Sequence, residues 1–300
     1  MANTRELRRR IKSVKNTAQI TKAMQMVAAT KMRRAQAQAL NGRPYSFNLS
    51  EALKRLLPLV EIGSHPLLSG SDTKTIGVAL LTTDKSLCGA LNTNLFRLVT
   101  ASGLLSADTV FYTVGKKGRN FIARSGKNLQ ADFENLDVVT FRGAVQLAKL
   151  VMDAFLAKEI GEAYIVYPRF DSTLRQESTK IKLLPIEYSE LEDLITRDSL
   201  TSNAQTSKRT NEQTKSEFLF EPDPHKLLDY ILVHHLQIKI YQSLLETKAS
   251  EHSARMIAMQ NATDNALELV DDLNLTYNQT RQDSITKEIL EITTAIIAMQ

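Results

Sequence analysis

ARMIAMQNATDNA, residues 254–266, decides how the rest of this chain is read. Ala and Met favour helix, and neither Gly nor Pro interrupts the stretch. Its only large aliphatic residue is Ile257. Small side chains let a second helix come close, and Met fills gaps without imposing one geometry. Outward from this centre, apolar or small residues recur at Ala249, His252, Met256, Met259, Thr263, Ala266, Val270, Leu273 and Tyr277, alternating three and four apart. That is the seam of a coiled coil. Upstream, in EPDPHKLL (221–228), Asp223 is placed to cap and Pro224 to occupy the first helical position. Nothing breaks the pattern from there to Gln300. The 76 residues 225–300 predict a rod roughly 114 Å long. A compact chain of 300 residues has a radius of gyration of only about 19 Å, so the rod should project from any compact body.

The other end of the chain supplies a partner. Asn3 with Glu6 resembles a capping box. Leu7, Ile11, Val14 and Ala18 follow 4-3-4 spacing, and the stripe continues through Met24 and Val27 to a run of alanines. NGRP (41–44) reads as a stop signal, with a further amphipathic piece, SEALKRLLPLV, after it. Met1 to Asn41 carries ten Lys or Arg and one acid, whereas His225 to Gln300 carries six against ten. Opposite charge and complementary stripes predict an antiparallel pair. The longer helix should outrun its partner by about 30 residues at its end, leaving isoleucines there that cost roughly 1.5–3 kcal/mol each if left in water.

All glycines lie between Gly42 and Gly161, and all prolines between Pro44 and Pro224. That middle alternates strand and helix patterns. TIGVALLTT (75–83), TVFYTV (109–114) and EAYIVYP (162–168) read as strands, with STKIKLLPI (178–186) as an edge. Helical patterns lie near Leu91–Ser102, Lys117–Arg124 and Ala144–Lys158. The expected fold class is therefore α/β with a long antiparallel coiled coil: two paired terminal helices, with a small Rossmann-like domain inserted between them. The expected division is 1–57 and 217–300 for the discontinuous coil, 73–195 for the α/β domain, and 196–216 as a mobile polar loop.

Composition narrows the function. The single cysteine, Cys88, excludes an internal disulfide framework. The basic start lacks the apolar core of a secretory signal, and no apolar run reaches the ~18 residues that span a bilayer. Gly115-Lys116-Lys117-Gly118 sits where a phosphate loop would, but lacks the P-loop spacing. Cys88 in TTDKSLCGALN (82–92) has no identifiable base and reads as a small buried thiol. His234, His235 and His252 do not have metal-ligand spacing. Arg8, Arg9, Arg10, Lys12 and Lys15 form a basic face with no nucleic-acid module around it, so an acidic protein surface is its expected partner. No catalytic residue, metal or cofactor is expected.

Six stretches together carry a resemblance. They are IKSVKNTAQITKAMQMVAATKMRRAQ (11–36), RPY (43–45), TTDKSLCGALN (82–92), EPDP (221–224), SARMIAMQNATDN (253–265) and YNQTRQDSITKEILEI (277–292). In this order and spread over nearly the whole chain, they resemble the gamma-subunit family of F-type ATP synthases. Gly89-Ala90 replaces the family's common Gly-Gly. The region 196–216 departs from the pattern, and the chloroplast regulatory insert is absent, which argues against thiol control. The resemblance implies a non-catalytic central stalk that couples ion-driven rotation of the c ring to ATP synthesis or hydrolysis in the alpha3beta3 hexamer. Its implied partners are the alpha and beta subunits, the epsilon subunit and the c-subunit ring. The implied membrane association is through the complex only, and with no transit-peptide pattern or chloroplast insert the expected location is the cytoplasmic face of the bacterial cell membrane. The resemblance further implies beta-subunit contact and coupling at Met24, Arg255, Arg281, Gln282 and Thr286. It implies a c-ring foot at Phe218 and Glu221, and an apolar bearing tip at Ile289, Ile292 and Ile296. The contrasting expectation is a free-standing coiled-coil scaffold, which would bury its tip against a second copy.

Overall fold

The computed structural model describes residues 4–57, 65–70, 73–105, 108–135, 137–186 and 224–298. The expected loop 196–216 and the foot residues Phe218 and Glu221 lie outside these. The chain divides into two compact units. One comprises Met1–Thr30 with Arg255–Gln300, and the other Lys31–Ala254.

The larger unit is built on a five-stranded sheet. Its strands are β1 (Ile76–Leu81), β2 (Thr109–Val114), β3 (Asn128–Phe133), β4 (Glu162–Phe170) and β5 (Gln176–Leu184), in the order β3-β2-β1-β4-β5. All neighbours run parallel except β4 and β5, which form an antiparallel edge pair. Helices α2 (Leu91–Ala101) and α3 (Lys116–Arg124) pack through Leu95, Val99 and Ile122 against one face, on Val78, Leu80, Phe111 and Val166. Helix α4 (Phe141–Leu156) covers the other face with Leu147, Val151 and Phe155. Leu53 and Leu56 from the end of α1 (Thr4–Leu56) and Leu228, Leu232, Leu236 and Ile240 from the start of α5 (Pro224–Ala298) join that second cluster. Central strands buried on both faces explain the continuous apolar runs of β1 and β2.

Two sequence expectations change here. β3 went unread because NLQADF is an edge strand of alternating half-buried and exposed residues, without an apolar run. And α1 does not stop at NGRP; it continues through Gly42 and Pro44 to Leu56. Gly42 marks close approach rather than termination: a Cβ there would lie 2.6 Å from Gln242 Oε1 of α5. Gln242 Nε2 donates to the Ala39 carbonyl at 3.0 Å. The neighbouring Arg43 donates to the Phe170 carbonyl at 2.8 Å and pairs with Glu246 at 3.3 Å. These contacts hold the helical path where local propensity alone would end it.

From Ser243 to Ser253 nearly every residue of α5 is buried, polar ones included. Burial of polar groups requires partners, and α5 finds them: Ser250 Oγ donates to the Pro168 carbonyl at 2.9 Å, and Ser253 Oγ to the Thr173 carbonyl at 2.6 Å.

Candidate functional site: the paired helices of the terminal unit

In the terminal unit, residues 4–30 of α1 lie against α5 from Arg255 to about Arg281. The two stripes read from sequence face inward, except at Val27, which is 56% exposed while the adjacent Ala28 takes the seam position. Leu7, Ala18 and Ala28 are buried on α1, and Met259, Thr263, Ala266, Val270 and Leu273 on α5. Alanine and threonine in the seam keep the pair slim, as the opening stretch suggested. Thr21 and Thr263 share a hydroxyl–hydroxyl bond of 2.8 Å, and Thr263 Oγ1 also lies 2.8 Å from the Met259 carbonyl. Arg8 Nη2 donates to the Tyr277 hydroxyl at 3.0 Å, with its guanidinium 5.7 Å from the ring centroid.

These two contacts fix an antiparallel register. From Arg8 to Thr21 is 13 residues, and from Tyr277 back to Thr263 is 14. The start of α1 therefore lies opposite about Arg281, and the remainder of α5 has no partner among the described residues of this unit. The overhang is roughly 25 Å at helical rise, shorter than the sequence suggested, because α1 runs on to Leu56 instead of ending at NGRP. Leu273 is the last buried residue of α5 among those described.

The candidate site residues distribute along this pair as follows. Met24 is half-buried. Arg255 is only 9% exposed, so it is not part of an outward polar face. It sits about one and a half turns along the coil from the level of Met24. Arg281, Gln282 and Thr286 are all exposed beyond the paired zone. Ile289, Ile292 and Ile296 are 58%, 62% and 57% exposed, and Ile285, Leu290 and Ile297 are exposed with them. Arg8 entered the sequence analysis only as one of a basic cluster. Its link to Tyr277 could have been found from the registry of the two stripes. The Thr21–Thr263 pair carries no comparable sequence signal.

Sites of bond chemistry find little support in the α/β unit. At the start of α3, Lys116 N–H bonds Asp84 Oδ1 at 2.8 Å, Lys117 N–H the Thr83 carbonyl at 3.1 Å, and Gly118 N–H Thr82 Oγ1 at 2.8 Å. The backbone donors a phosphate would need are already used. Cys88 is buried, with Asn92 Nδ2 donating to its sulfur at 3.4 Å. Among the described residues no group of three or more His, Cys, Asp or Glu is placed to hold a metal ion. No described helix is long and apolar enough to cross a membrane.

Comparison with known proteins gives a consistent result. The family model described as ATP synthase matches residues 3–299. The chain is 42% identical over 298 residues to the ATP synthase gamma chain of Opitutus terrae, covering 99% of each. It is 44% identical over 308 aligned positions to that of Methylacidiphilum infernorum, covering all of both. Among solved structures, its fold is similar to a chain of the Euglena gracilis mitochondrial ATP synthase in an OSCP/F1/c-ring assembly. That match has a TM-score of 0.66 and 20% identity, and covers 99% of this chain and 94% of that one. A chain from the central stalk and c ring of the Tetrahymena thermophila enzyme gives a TM-score of 0.60 at 23% identity, covering 81% of this chain and 99% of that one.

Proposed function

The chain belongs to the ATP synthase gamma-chain family, and on that premise we propose that it is the central shaft of a rotary ATP synthase. The observation that carries this reading is the unpartnered end of α5. A helix that continues past its partner with Ile289, Ile292 and Ile296 more than half exposed needs an apolar sheath. The bearing of an alpha/beta hexamer is such a sheath. Arg281, Gln282 and Thr286, at the boundary between paired and bare helix, form the polar contact with a beta subunit. Met24 and Arg255 act lower on the coil, Met24 from a half-buried position and Arg255 from a buried one. Phe218 and Glu221 serve the foot on the c ring, beside the epsilon subunit.

The chain performs no bond chemistry itself. It transmits free energy between ion-driven rotation and the nucleotide affinities of successive beta subunits, a coupling between binding equilibria. It reaches the cytoplasmic face of the bacterial cell membrane only as part of the complex.

The test is co-expression with alpha and beta subunits. The full chain should co-purify in a membrane-strippable ATPase, and a bead fixed to its α/β unit should rotate during ATP hydrolysis. A soluble, stable homodimer that never enters the complex would instead establish the scaffold reading.

A further inference from the structure

We infer that the α/β unit carries a binding site for a small tetrahedral oxyanion of the phosphate class, in the cleft between Lys31 and Arg34 of α1, the 137–139 segment, and Lys248 of α5. The cleft encloses about 200 Å³, room enough for one such ion. Lys31 and Arg34 are three residues apart and so share one face of α1. Lys248 forms part of the floor; its side chain is only 5% exposed.

The charge balance points to an anion. Lys31 Nζ holds Asp137 Oδ2 at 2.9 Å at the rim, where both are largely exposed. Lys248 Nζ donates to the Asn135 carbonyl at 3.1 Å and to Glu251 Oε2 at 3.2 Å. Arg34 lines the cleft without an ion-pair partner among the described residues. Three cations thus face two carboxylates, one of which, Asp137, is on the surface and able to swing away. An arriving oxyanion takes the guanidinium of Arg34 in a forked contact and replaces Asp137 on Lys31. It thereby ties α1, the 137–139 segment and α5 together at one point. The inference does not depend on the coupling role proposed above.

The test uses the full-length chain titrated with inorganic phosphate, with ionic strength held constant by chloride and binding read by calorimetry. One saturable site per chain is expected. Arg34→Gln should weaken it by about tenfold, the loss of one charge-assisted contact. Asp137→Asn should tighten it, because the competing carboxylate is gone. Both positions are exposed, so thermal melting should show both variants folded. Lys116→Gln, outside the cleft, should bind like the parent. Non-saturable uptake, an Arg34→Gln chain that binds like the parent, or an Asp137→Asn chain that binds more weakly would each overturn the inference. So would equal loss in the Lys116→Gln control, which would mean surface charge alone, or equally tight binding of acetate, which would mean a carboxylate site.

Discussion

At Arg281 and Gln282 the chain leaves the shelter of its own partner helix. Both side chains are exposed and neither is needed to hold the pair together. Changing both to alanine should therefore leave assembly intact while lowering coupled ATP hydrolysis by several-fold, an effect of order 1 kcal/mol on the rotary cycle. Equal turnover in the variant and parent complexes would remove these residues from the mechanism. Gly115 shows the opposite situation, a residue with no outward role. Its φ is +99°, and a Cβ would lie 2.4 Å from the Thr82 carbonyl oxygen. Gly115→Ala should destabilise the α/β unit by at least about 2 kcal/mol, seen as a lowered urea midpoint. In the seam, the Oε1 of Gln25 is buried without a hydrogen-bond partner. Gln25→Met should raise stability by about 1 kcal/mol, since an unsatisfied buried acceptor is removed; a lower melting temperature would show that Gln25 has a role in the isolated chain. The spacing of Arg281 and Gln282 past the stripe was legible in the sequence. The burial of Arg255 was not, because a charged residue one position before a seam residue can point either way until the partner helix fixes the rotation.

At the scale of elements, α5 has two halves with different requirements. Leu273 is buried beside α1, whereas Ile292 is 62% exposed. Leu273→Ala should cost the isolated chain about 2 kcal/mol or more, while Ile292→Ala should change it by less than about 0.5 kcal/mol. In the assembled complex the order should reverse for retention of the shaft. Measuring melting of the isolated chain and salt-stripping of the complex for both variants separates the two contributions. Elements with strong periodicity or long apolar runs, α5, β1 and β2 among them, could be read directly. β3 could not, since an edge strand buries too little to impose a pattern. The continuation of α1 through Gly42 and Pro44 was hidden for a related reason. The favourable terms, Gln242 on Ala39 and Arg43 on Glu246, come from residues about two hundred positions away.

For the molecule as a whole, stability should depend on pH through its buried histidine. His235 is buried, and that burial, helped by Lys239 and His234, pushes its imidazole down to about 3. An unfolded-state histidine titrates near 6.5, so the unfolded chain binds a proton that the folded chain refuses between those values. Stability is complete above about pH 6.5 and is lost as pH falls towards 3; by pH 5 the loss from this group is about 2 kcal/mol. His65, also lowered by burial against the pull of Asp229, works in the same direction. His235→Gln should flatten the fall in denaturation midpoint between pH 7.5 and 5, and an unchanged slope would assign the dependence elsewhere. By itself the sequence determined that two terminal helices pair, that an α/β unit stands between them in the chain, and that the last turns of α5 carry apolar residues in excess of what α1 can cover. Periodicity and length suffice for that, because they depend only on which residues recur at helical or strand spacing. Only the tertiary structure decided where pairing ends, that Arg255 faces inward, that the α3 turn has spent its donors, and that Lys31, Arg34 and Lys248 share one cleft. Each of those depends on distances between residues far apart in the chain, and such distances are set by packing rather than by local pattern.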